Sequence, residues 1–284
     1  MSISSQIEQI KEHGRQTSAE AITWVIWLAR LGYAAKGLVY MTIGALAVQA
    51  AIGSGGETTG PSGALSSLSN APFGRILLGL VAVGLFGYAL WRIVQAWVDP
   101  DNEGSDAAGI AKRIGYAISG LIYGGFGAEA VRIVWHGGGS SGSGNDQAAG
   151  WTARLMSQPF GIWLVGIVGV IVIGTGLYQF YRAYTAKFRL KLKLHEMSSH
   201  EQTWATRAGR IGFAARGVVY SLIGGFLVVA AMRSNPQEAG GIGKALQTLA
   251  QQPYGPWLLG LVALGLMAYG FFAIVLARYR RIFF

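Results

Sequence analysis

The sequence has no cysteine, few charged residues and no histidine within its apolar segments. The absence of cysteine excludes disulfides, thiolate metal sites and cysteine nucleophiles. Only 13% of the 284 residues are charged, against about 25% in a typical soluble domain, which indicates a chain surrounded mainly by lipid. The first residues, MSISSQIEQIKEHGRQTSAE, are polar and exclude a cleaved signal peptide with its early apolar run.

Six apolar segments account for the low charge. Hydrophobic residues make up 52% of the chain, and each segment has the about 20 apolar residues needed to cross a hydrocarbon core. We therefore predict an all-α polytopic membrane helix bundle with six transmembrane helices. The predicted spans cover residues 31–52, 73–98, 114–135, 160–181, 211–232 and 254–277.

Positive charge is distributed unequally between the two sides of such a bundle. All but five of the 23 Lys and Arg fall on the side that holds both termini and the two linkers. The positive-inside rule then predicts a multi-pass membrane protein with both termini in the cytoplasm. The basic run RAYTAKFRLKLKLHE, residues 182–196, is expected to contact anionic lipid head groups. No nucleic-acid recognition motif accompanies it, so no nucleic-acid partner is predicted.

One apolar phrase occurs three times, and each copy opens a pair of spans. The copies are RLGYAAKGLVYMTIGALA (30–47), RIGYAISGLIYGGFGAEA (113–130) and RIGFAARGVVYSLIGGFL (210–227). An even number of spans per repeat gives all three the same orientation, which predicts three helical hairpins related by a pseudo-threefold axis along the membrane normal. The predicted organisation is a segment 1–29 with an interfacial helix, repeats 30–98, 113–181 and 210–284, and cytoplasmic linkers 99–112 and 182–209.

Aromatic residues and glycines recur at helical spacing in each copy and form one stripe on the first span. Lipid does not require such a stripe, whereas glycines allow close approach of a neighbouring helix. The second aromatic residue of each stripe, a tyrosine, lies about 15 Å along the helix from the arginine that opens the phrase. That position is mid-membrane, so its hydroxyl needs a partner inside the bundle. Helix packing is therefore preferred to solute binding at Tyr33, Gly37, Tyr40, Gly44, Tyr116, Gly120, Tyr123, Gly127, Phe213, Gly217, Tyr220 and Gly224.

A short helix and a proline are predicted before each second span. The loops end with GALSSLSNAPFG, GWTARLMSQPFG and GKALQTLAQQPYG, whose spacing places one apolar face along an interfacial helix. Pro72, Pro159 and Pro253 are expected to start the second spans, where a missing amide donor costs least. Near the N-terminus, TSAE at Thr17–Glu20 forms a capping box and predicts a helix start.

The combination of R-x-G-[YF]-A, the mid-span tyrosine and P-[FY]-G resembles a bacterial membrane family, the domain of unknown function 1206 family. The resemblance covers residues 30–277 and implies six spans made of three two-span repeats. The family's GYALWR-x-x-QA ending occurs as GYALWRIVQA (87–96), and its later copies, GTGLYQFYRA (174–183) and AYGFFAIVLA (268–277), are degenerate. The resemblance implies no activity.

Cations at the edges of the first spans are candidates for binding. One arginine occupies the same inner edge of every repeat: Arg30, Arg113 and Arg210. These side chains either extend to lipid phosphates or form a ring that collects anions. Lys36 and Arg216 share a second equivalent position, which Ser119 takes in the middle repeat.

Glu129 is the only carboxylate within a predicted span. Arg132, one turn later, is its expected ion-pair partner. An intramembrane acid otherwise points to a proton- or cation-coupled site, and this alternative stays open. Because only one repeat carries the acid, we predict that the pair is structural.

No catalytic or metal-binding constellation is predicted. The histidines of HEMSSH (195–200) are five residues apart, whereas a helical zinc motif needs four. HGGGSSG (136–142) follows a membrane span, whereas a nucleophile elbow follows a strand. We therefore predict no enzymatic activity, no cofactor and no metal.

The predicted function is a non-enzymatic scaffold or partner-binding membrane protein, acting with another membrane protein or as a homo-oligomer. The alternative is a small-solute or ion transporter or channel along the pseudo-threefold axis.

Overall fold

The structure is a computed structural model that describes residues 3–136 and 144–280. The described residues form nine α-helices and no β-strand. Most of the HGGGSSG tract lies outside them. The helices are α1 (Ile3–Ala51), α2 (Pro61–Ser69), α3 (Gly74–Trp97), α4 (Ala107–His136), α5 (Gly144–Met156), α6 (Gly161–Thr185), α7 (Ser199–Met232), α8 (Ile242–Ala250) and α9 (Gly255–Tyr279).

Six of these helices are long and apolar enough to cross a membrane, as predicted: the C-terminal half of α1 from Ile26, and α3, α4, α6, α7 and α9. The three short helices, α2, α5 and α8, each precede a second span, where the loop motifs predicted them. We call the end of the bundle with these short helices the loop side. The opposite end, which carries residues 98–106 and 186–198 and the end of α9, is the linker side.

The first helix differs from the prediction at its start. A helix was expected to begin at the Thr17–Glu20 capping box, but α1 runs without interruption for 49 residues from Ile3. The residues upstream of the motif, QIEQIK, are mostly good helix formers, and Glu8 and Lys11 have the spacing of a helical charge pair. A functioning capping box does open α7, where Ser198 Oγ accepts a hydrogen bond from the Glu201 amide.

The second spans do not begin at proline, which corrects the prediction. Each begins two residues later, after an aromatic residue in the left-handed region with φ between 58° and 61°: Phe73, Phe160 and Tyr254. The glycine that follows is required by space, because a Cβ on Gly161 would lie 1.9 Å from the Leu155 carbonyl oxygen. The P-[FY]-G motif is therefore a tight turn between the short helix and the span.

The first span of each repeat packs on the second span of a neighbouring repeat. These contacts join α1 to α9, α4 to α3 and α7 to α6, and they go round the bundle in one direction, as a pseudo-threefold arrangement requires. Within the first and third repeats, the two spans also pack on each other, α1 on α3 and α7 on α9. In the second repeat, α4 and α6 do not pack along each other in this way. The ring of six spans is therefore open at one place.

The basic linker between α6 and α7 is folded against the linker side. Phe188 is buried, and its ring centroid lies 5.1 Å from that of Phe213 and 5.0 Å from that of Phe272. Leu192 forms an antiparallel bridge with Arg280, and the Lys193 amide donates to the Tyr279 carbonyl. Part of the basic run that was expected to contact lipid head groups therefore packs on the bundle, through Phe188 and Leu192.

Candidate functional site

The mid-span tyrosines of the three repeats converge inside the bundle. Tyr40 and Tyr220 lie close enough for their hydroxyl groups to interact, and the Tyr220 hydroxyl accepts a hydrogen bond from Arg216. Tyr123 lies close enough to both to interact electrostatically, and its ring is 4.6 Å from that of Tyr88 in an edge-to-face arrangement. Tyr40 makes the same kind of contact with Tyr269, at 4.8 Å. The predicted partners of the mid-membrane hydroxyls are therefore the same residue of another repeat and tyrosines of the second spans.

Two cations from equivalent positions of α1 and α7 lie among these rings. Lys36 is only 3% exposed; its Nζ donates to the Tyr88 hydroxyl at 2.9 Å and lies 5.0 Å from the Tyr123 ring centroid. Arg216 is 8% exposed, and its guanidinium carbon lies 4.3 Å from the Tyr269 ring centroid. Such contacts stabilise a desolvated cation by about 2 kcal/mol each.

Two further arginines extend the group toward the linker side. Arg92 Nε donates to the Tyr88 hydroxyl at 2.9 Å, and Arg182 lies 4.1 Å from the centroid of the Phe213 ring. The charges of Arg92, Arg182 and Arg216 all act on Lys36. We call this set the cation–tyrosine cluster: Lys36, Arg92, Arg182 and Arg216 with Tyr40, Tyr88, Tyr123, Tyr220 and Tyr269.

No carboxylate neutralises the cluster within the part of the chain that the structure describes. Every ion pair there lies elsewhere. The Arg182 guanidinium has aromatic contacts but no hydrogen-bond acceptor, and Nε of Arg216 also lacks a partner. Two buried oxygens nearby on α6 and α7, Gln179 Oε1 and Ser221 Oγ, are unpaired as well. Arginine stays protonated in proteins, so at least three positive charges repel one another here.

The carboxylates that cover the linker side do not touch the cations of the cluster but connect to them through Gln95, which accepts a hydrogen bond from Arg92 at 3.1 Å and donates one to Asp101 at 2.6 Å. Asp101 accepts from Arg280 at 2.9 Å and from Lys191 at 3.0 Å, and Glu103 accepts from Lys191 at 3.0 Å. Burial acts to raise the pKa of the Glu103 carboxyl, but hydrogen bonds from Lys112 and Lys191 lower it to about 2. We call these residues the linker-side network: Asp101, Glu103, Lys112, Lys191 and Arg280.

The cluster is less enclosed on the side where α4 and α6 stand apart. At this place α4 presents Ile118, which is 52% exposed, whereas its equivalents Ala35 and Ala215 in the closed repeats are buried. A Cβ added to Gly115 of α4 or Gly174 of α6 would meet no atom within 4 Å. We call this gap the α4–α6 opening and define it by Gly115, Ile118, Ile171, Gly174, Thr175 and Tyr178.

The predicted stripe lies at the contacts between repeats. A Cβ on Gly37 would be 2.7 Å from the Gly270 carbonyl oxygen, and one on Gly224 would be 2.6 Å from the Gly169 carbonyl oxygen. In the middle repeat, Gly120 faces Ile93 and the Ala89 carbonyl of α3. Gly44, Gly127 and Gly217 lie against α9, α3 and α6 in the same way. The aromatic members instead enter the cation–tyrosine cluster or its linker-side border.

The three equivalent arginines have different surroundings. Arg113 donates to the carbonyls of Ala96 and Trp97, the last residues of α3. Arg30 lies beside the Trp27 ring, at 5.8 Å, and Arg210 is exposed. The structure therefore places one of them on a helix C-terminus and does not bring the three together with the cluster. Contact with lipid phosphates stays a prediction.

Glu129 and Arg132 are not paired in the structure. Glu129 accepts a hydrogen bond from Ser62 of α2 at 2.8 Å and a longer one, 3.5 Å, from Gln147 of α5. Arg132 is exposed, and the ion pairs among the described residues include neither Arg132 nor Glu129. The short helices supply neutral partners that the spacing within one helix does not reveal. Glu129 thus links α4 to the short helices α2 and α5 on the loop side.

Sequence reasoning found the equivalent pair Lys36 and Arg216 but did not join it to Arg92 and Arg182. Those two come from second spans, at positions that are not equivalent between repeats. A usable signal was present: Gly84 and Gly265 correspond to Ile171 in the second repeat, and Tyr88 and Tyr269 correspond to Thr175. These substitutions occur where α4 and α6 separate.

Comparison with known proteins supports the three-repeat plan. Residues 31–99, 114–186 and 211–280 each match the family described as Domain of Unknown Function (DUF1206). The chain is 35% identical over 261 residues to "Uncharacterized protein YxxB" of Bacillus subtilis (strain 168), an alignment that covers 92% of this chain and 93% of that protein. No solved structure matches the chain. The resemblance inferred from the repeated motifs is confirmed.

Proposed function

We propose that this chain, which belongs to the Domain of Unknown Function (DUF1206) family, is a non-enzymatic membrane protein that binds an anionic ligand at the cation–tyrosine cluster. The observation that carries the proposal is a group of three arginines and a lysine without any carboxylate among the described residues. The partner of the proposed partner-binding protein is therefore a molecule that carries negative charge.

The energetic argument rests on the cost of buried cations. Transfer of one ion from water into a protein interior costs several kcal/mol after relaxation, and a cation–π contact returns about 2 kcal/mol. Contacts with aromatic faces therefore offset only part of the free-energy cost of burying Arg216 and Lys36. Removing one partner of a buried ion pair destabilises a protein strongly, and a bound anion supplies the partner that the chain lacks.

Conduction along the pseudo-threefold axis is less well supported. Tyr40, Tyr123 and Tyr220 lie close together inside the bundle, where a channel would need water. A hydrated pore also needs polar residues along its length, whereas this group extends from the mid-span tyrosines toward the linker side only. The charge asymmetry further supports an orientation with both termini in the cytoplasm, in the bacterial (inner) membrane.

The proposal is tested by the effect of an anionic amphiphile on stability. Dodecyl phosphate is added to protein purified in dodecyl maltoside, which has the same chain and a neutral head. A ligand at about 100 times its Kd stabilises the folded form by about 2.7 kcal/mol, so the unfolding midpoint of the parent protein should rise. Arg216→Met should abolish this rise. Without dodecyl phosphate, Arg216→Met should be at least as stable as the parent, because an unpaired buried charge is gone.

The matched control is Arg210→Met, which removes an exposed charge from the same helix. It should retain the stabilisation by dodecyl phosphate. If the parent gains no stability from dodecyl phosphate, or if both variants lose the effect equally, the cluster does not bind an anion.

A further inference from the structure

We infer that the anionic ligand is a membrane phospholipid, which enters sideways between α4 and α6, with its phosphate on the cation–tyrosine cluster and an acyl chain in the α4–α6 opening. This inference rests on the proposed function and names the class of ligand. Three observations carry it: the way the second repeat is kept open, the closure of both ends of the bundle, and the position of Arg182.

The sequence of the second repeat prevents the close helix contact that the other two repeats make. In the first repeat, a Cβ on Gly84 of α3 would lie 2.5 Å from the Ala35 Cβ of α1. The third repeat has the same contact, 2.4 Å, between Gly265 and Ala215. In the second repeat, isoleucine occupies both corresponding positions, Ile118 and Ile171. Small residues allow backbones to approach closely in a membrane, and two branched side chains do not.

The aromatic contacts that accompany the closed hairpins are also missing. Tyr88 and Tyr269 are buried beneath the first spans of their repeats, and the equivalent residue of α6 is Thr175, which is exposed. Its hydroxyl donates to the Ile171 carbonyl of its own helix. Tyr178 is 53% exposed, whereas the equivalent Trp91 is buried. The opening is thus built into several positions of the repeat.

Both ends of the bundle are covered by protein. On the linker side, Lys191 joins Asp101 and Glu103, and Arg280 joins Asp101. On the loop side, α2 and α5 contact each other, and α5 contacts α8. Asn145 of α5 accepts hydrogen bonds from two amides at the start of α8. The route that remains to the cluster among the described residues lies through the bilayer.

Arg182 lies just beyond the predicted span 160–181, where lipid phosphates are expected. It is three residues from the end of α6 at Thr185, about 4.5 Å by the helical rise, and its side chain is half-buried without a hydrogen-bond acceptor. Arg216 and Lys36 lie deeper in the bundle. A phosphate between Arg182 and these deeper cations leaves the acyl chains beside the apolar side chains of Ile118 and Ile171. Arginine matches phosphate oxygens with two parallel hydrogen bonds.

The test fills the opening without changing any charge. Gly115→Leu and Gly174→Leu, combined in one protein, place two large side chains where an added Cβ meets no atom within 4 Å, so the variant should fold. Binding is measured by native mass spectrometry and by the unfolding midpoint in dodecyl maltoside. The probes are phosphatidylglycerol, phosphatidylcholine and inorganic phosphate. The parent should retain phosphatidylglycerol in preference to phosphatidylcholine, and the filled variant should bind it at least about tenfold more weakly.

The control is Gly79→Leu on α3, where a Cβ also meets no atom within 4 Å but which lies outside the opening. It should bind phosphatidylglycerol like the parent. If inorganic phosphate stabilises the parent as well as phosphatidylglycerol does, the ligand is a soluble anion and the lipid inference is overturned. If the filled variant binds phosphatidylglycerol normally while Arg216→Met does not, the cluster binds anions but the opening is not the entrance. If no anion binds to the parent, the proposed function fails together with this inference.

Discussion

Two adjacent glycines of α7 allow the packing of the repeats to be measured against an internal control. A Cβ on Gly224 would lie 2.6 Å from the Gly169 carbonyl oxygen and 2.7 Å from the Ile173 amide nitrogen of α6. A Cβ on Gly225 would meet no atom within 4 Å. Because ordinary carbon–oxygen contacts are no closer than about 3.3 Å, Gly224→Ala has to push two helix backbones apart by about 0.7 Å.

The expected magnitude follows from the difference between these two variants. Each gains the same helix propensity from the exchange of glycine for alanine, about 1 kcal/mol, and this gain cancels in the comparison. The remaining difference is the cost of overpacking, about 1–3 kcal/mol. Gly224→Ala should therefore be less stable than Gly225→Ala by that amount when reversible unfolding is followed in mixed micelles. Equal free energies of unfolding for the two variants would show that α6 and α7 are not in close contact.

Four further predictions concern other parts of the molecule. In this chain without cysteine, Ser54→Cys should react with an impermeant thiol reagent on intact cells and Ser199→Cys should not; the opposite pattern would reverse the orientation. Ser198→Ala should lower the free energy of unfolding by about 1 kcal/mol, because it removes the side chain that caps α7; an unchanged value would contradict this role. The pKa of Glu103 is lowered from 4.5 to about 2, so its contribution to stability should be complete above pH 4.5 and be lost as the pH falls through about 2. Glu103→Gln should remove this part of the acid dependence measured by unfolding, and an unchanged profile would exclude Glu103 as its source. Glu129→Leu should lower the free energy of unfolding by about 1–3 kcal/mol because the buried Ser62 hydroxyl loses its acceptor. Arg132→Gln should change it by no more than about 0.5 kcal/mol. Equal losses of stability in the two variants would instead support the ion pair expected from the sequence.

Much of the fold could be predicted from the sequence because the signals are local. Span length and glycine spacing depend on one helix at a time. Span length correctly gave six spans, and Gly37, Gly120 and Gly217 of the predicted stripe lie against neighbouring helices. The start of α1 and the turn at P-[FY]-G were predicted wrongly. In the first case the residues before Thr17 also favour helix, and in the second the backbone of the preceding short helix leaves no room except for glycine.

The site was harder to predict because it depends on which helices are neighbours. Lys36 and Arg216 were recognisable as equivalent, but Arg92 and Arg182 follow no repeat, and only the packed bundle shows that the charges of all three arginines act on Lys36. The pairing of Glu129 with Ser62 likewise joins residues that are distant along the chain. The sequence shows that Ile171 stands where the other two repeats have glycine. Only the structure shows that those glycines, Gly84 and Gly265, allow the two spans of their repeats to pack closely.

The packing of α1 on α9 has a consequence for biosynthesis. Gly37 and Gly44 lie on α1, and the backbone they contact, at Gly270 and Ala263, belongs to α9, which is synthesised much later. Until α9 has been synthesised, this surface of α1 has only lipid or an insertion factor beside it. A nascent chain that stops before α9 therefore displays two close-contact glycines to any quality-control protease in the membrane. The contact between α1 and α9 therefore forms only after the four spans that separate them along the chain have been synthesised.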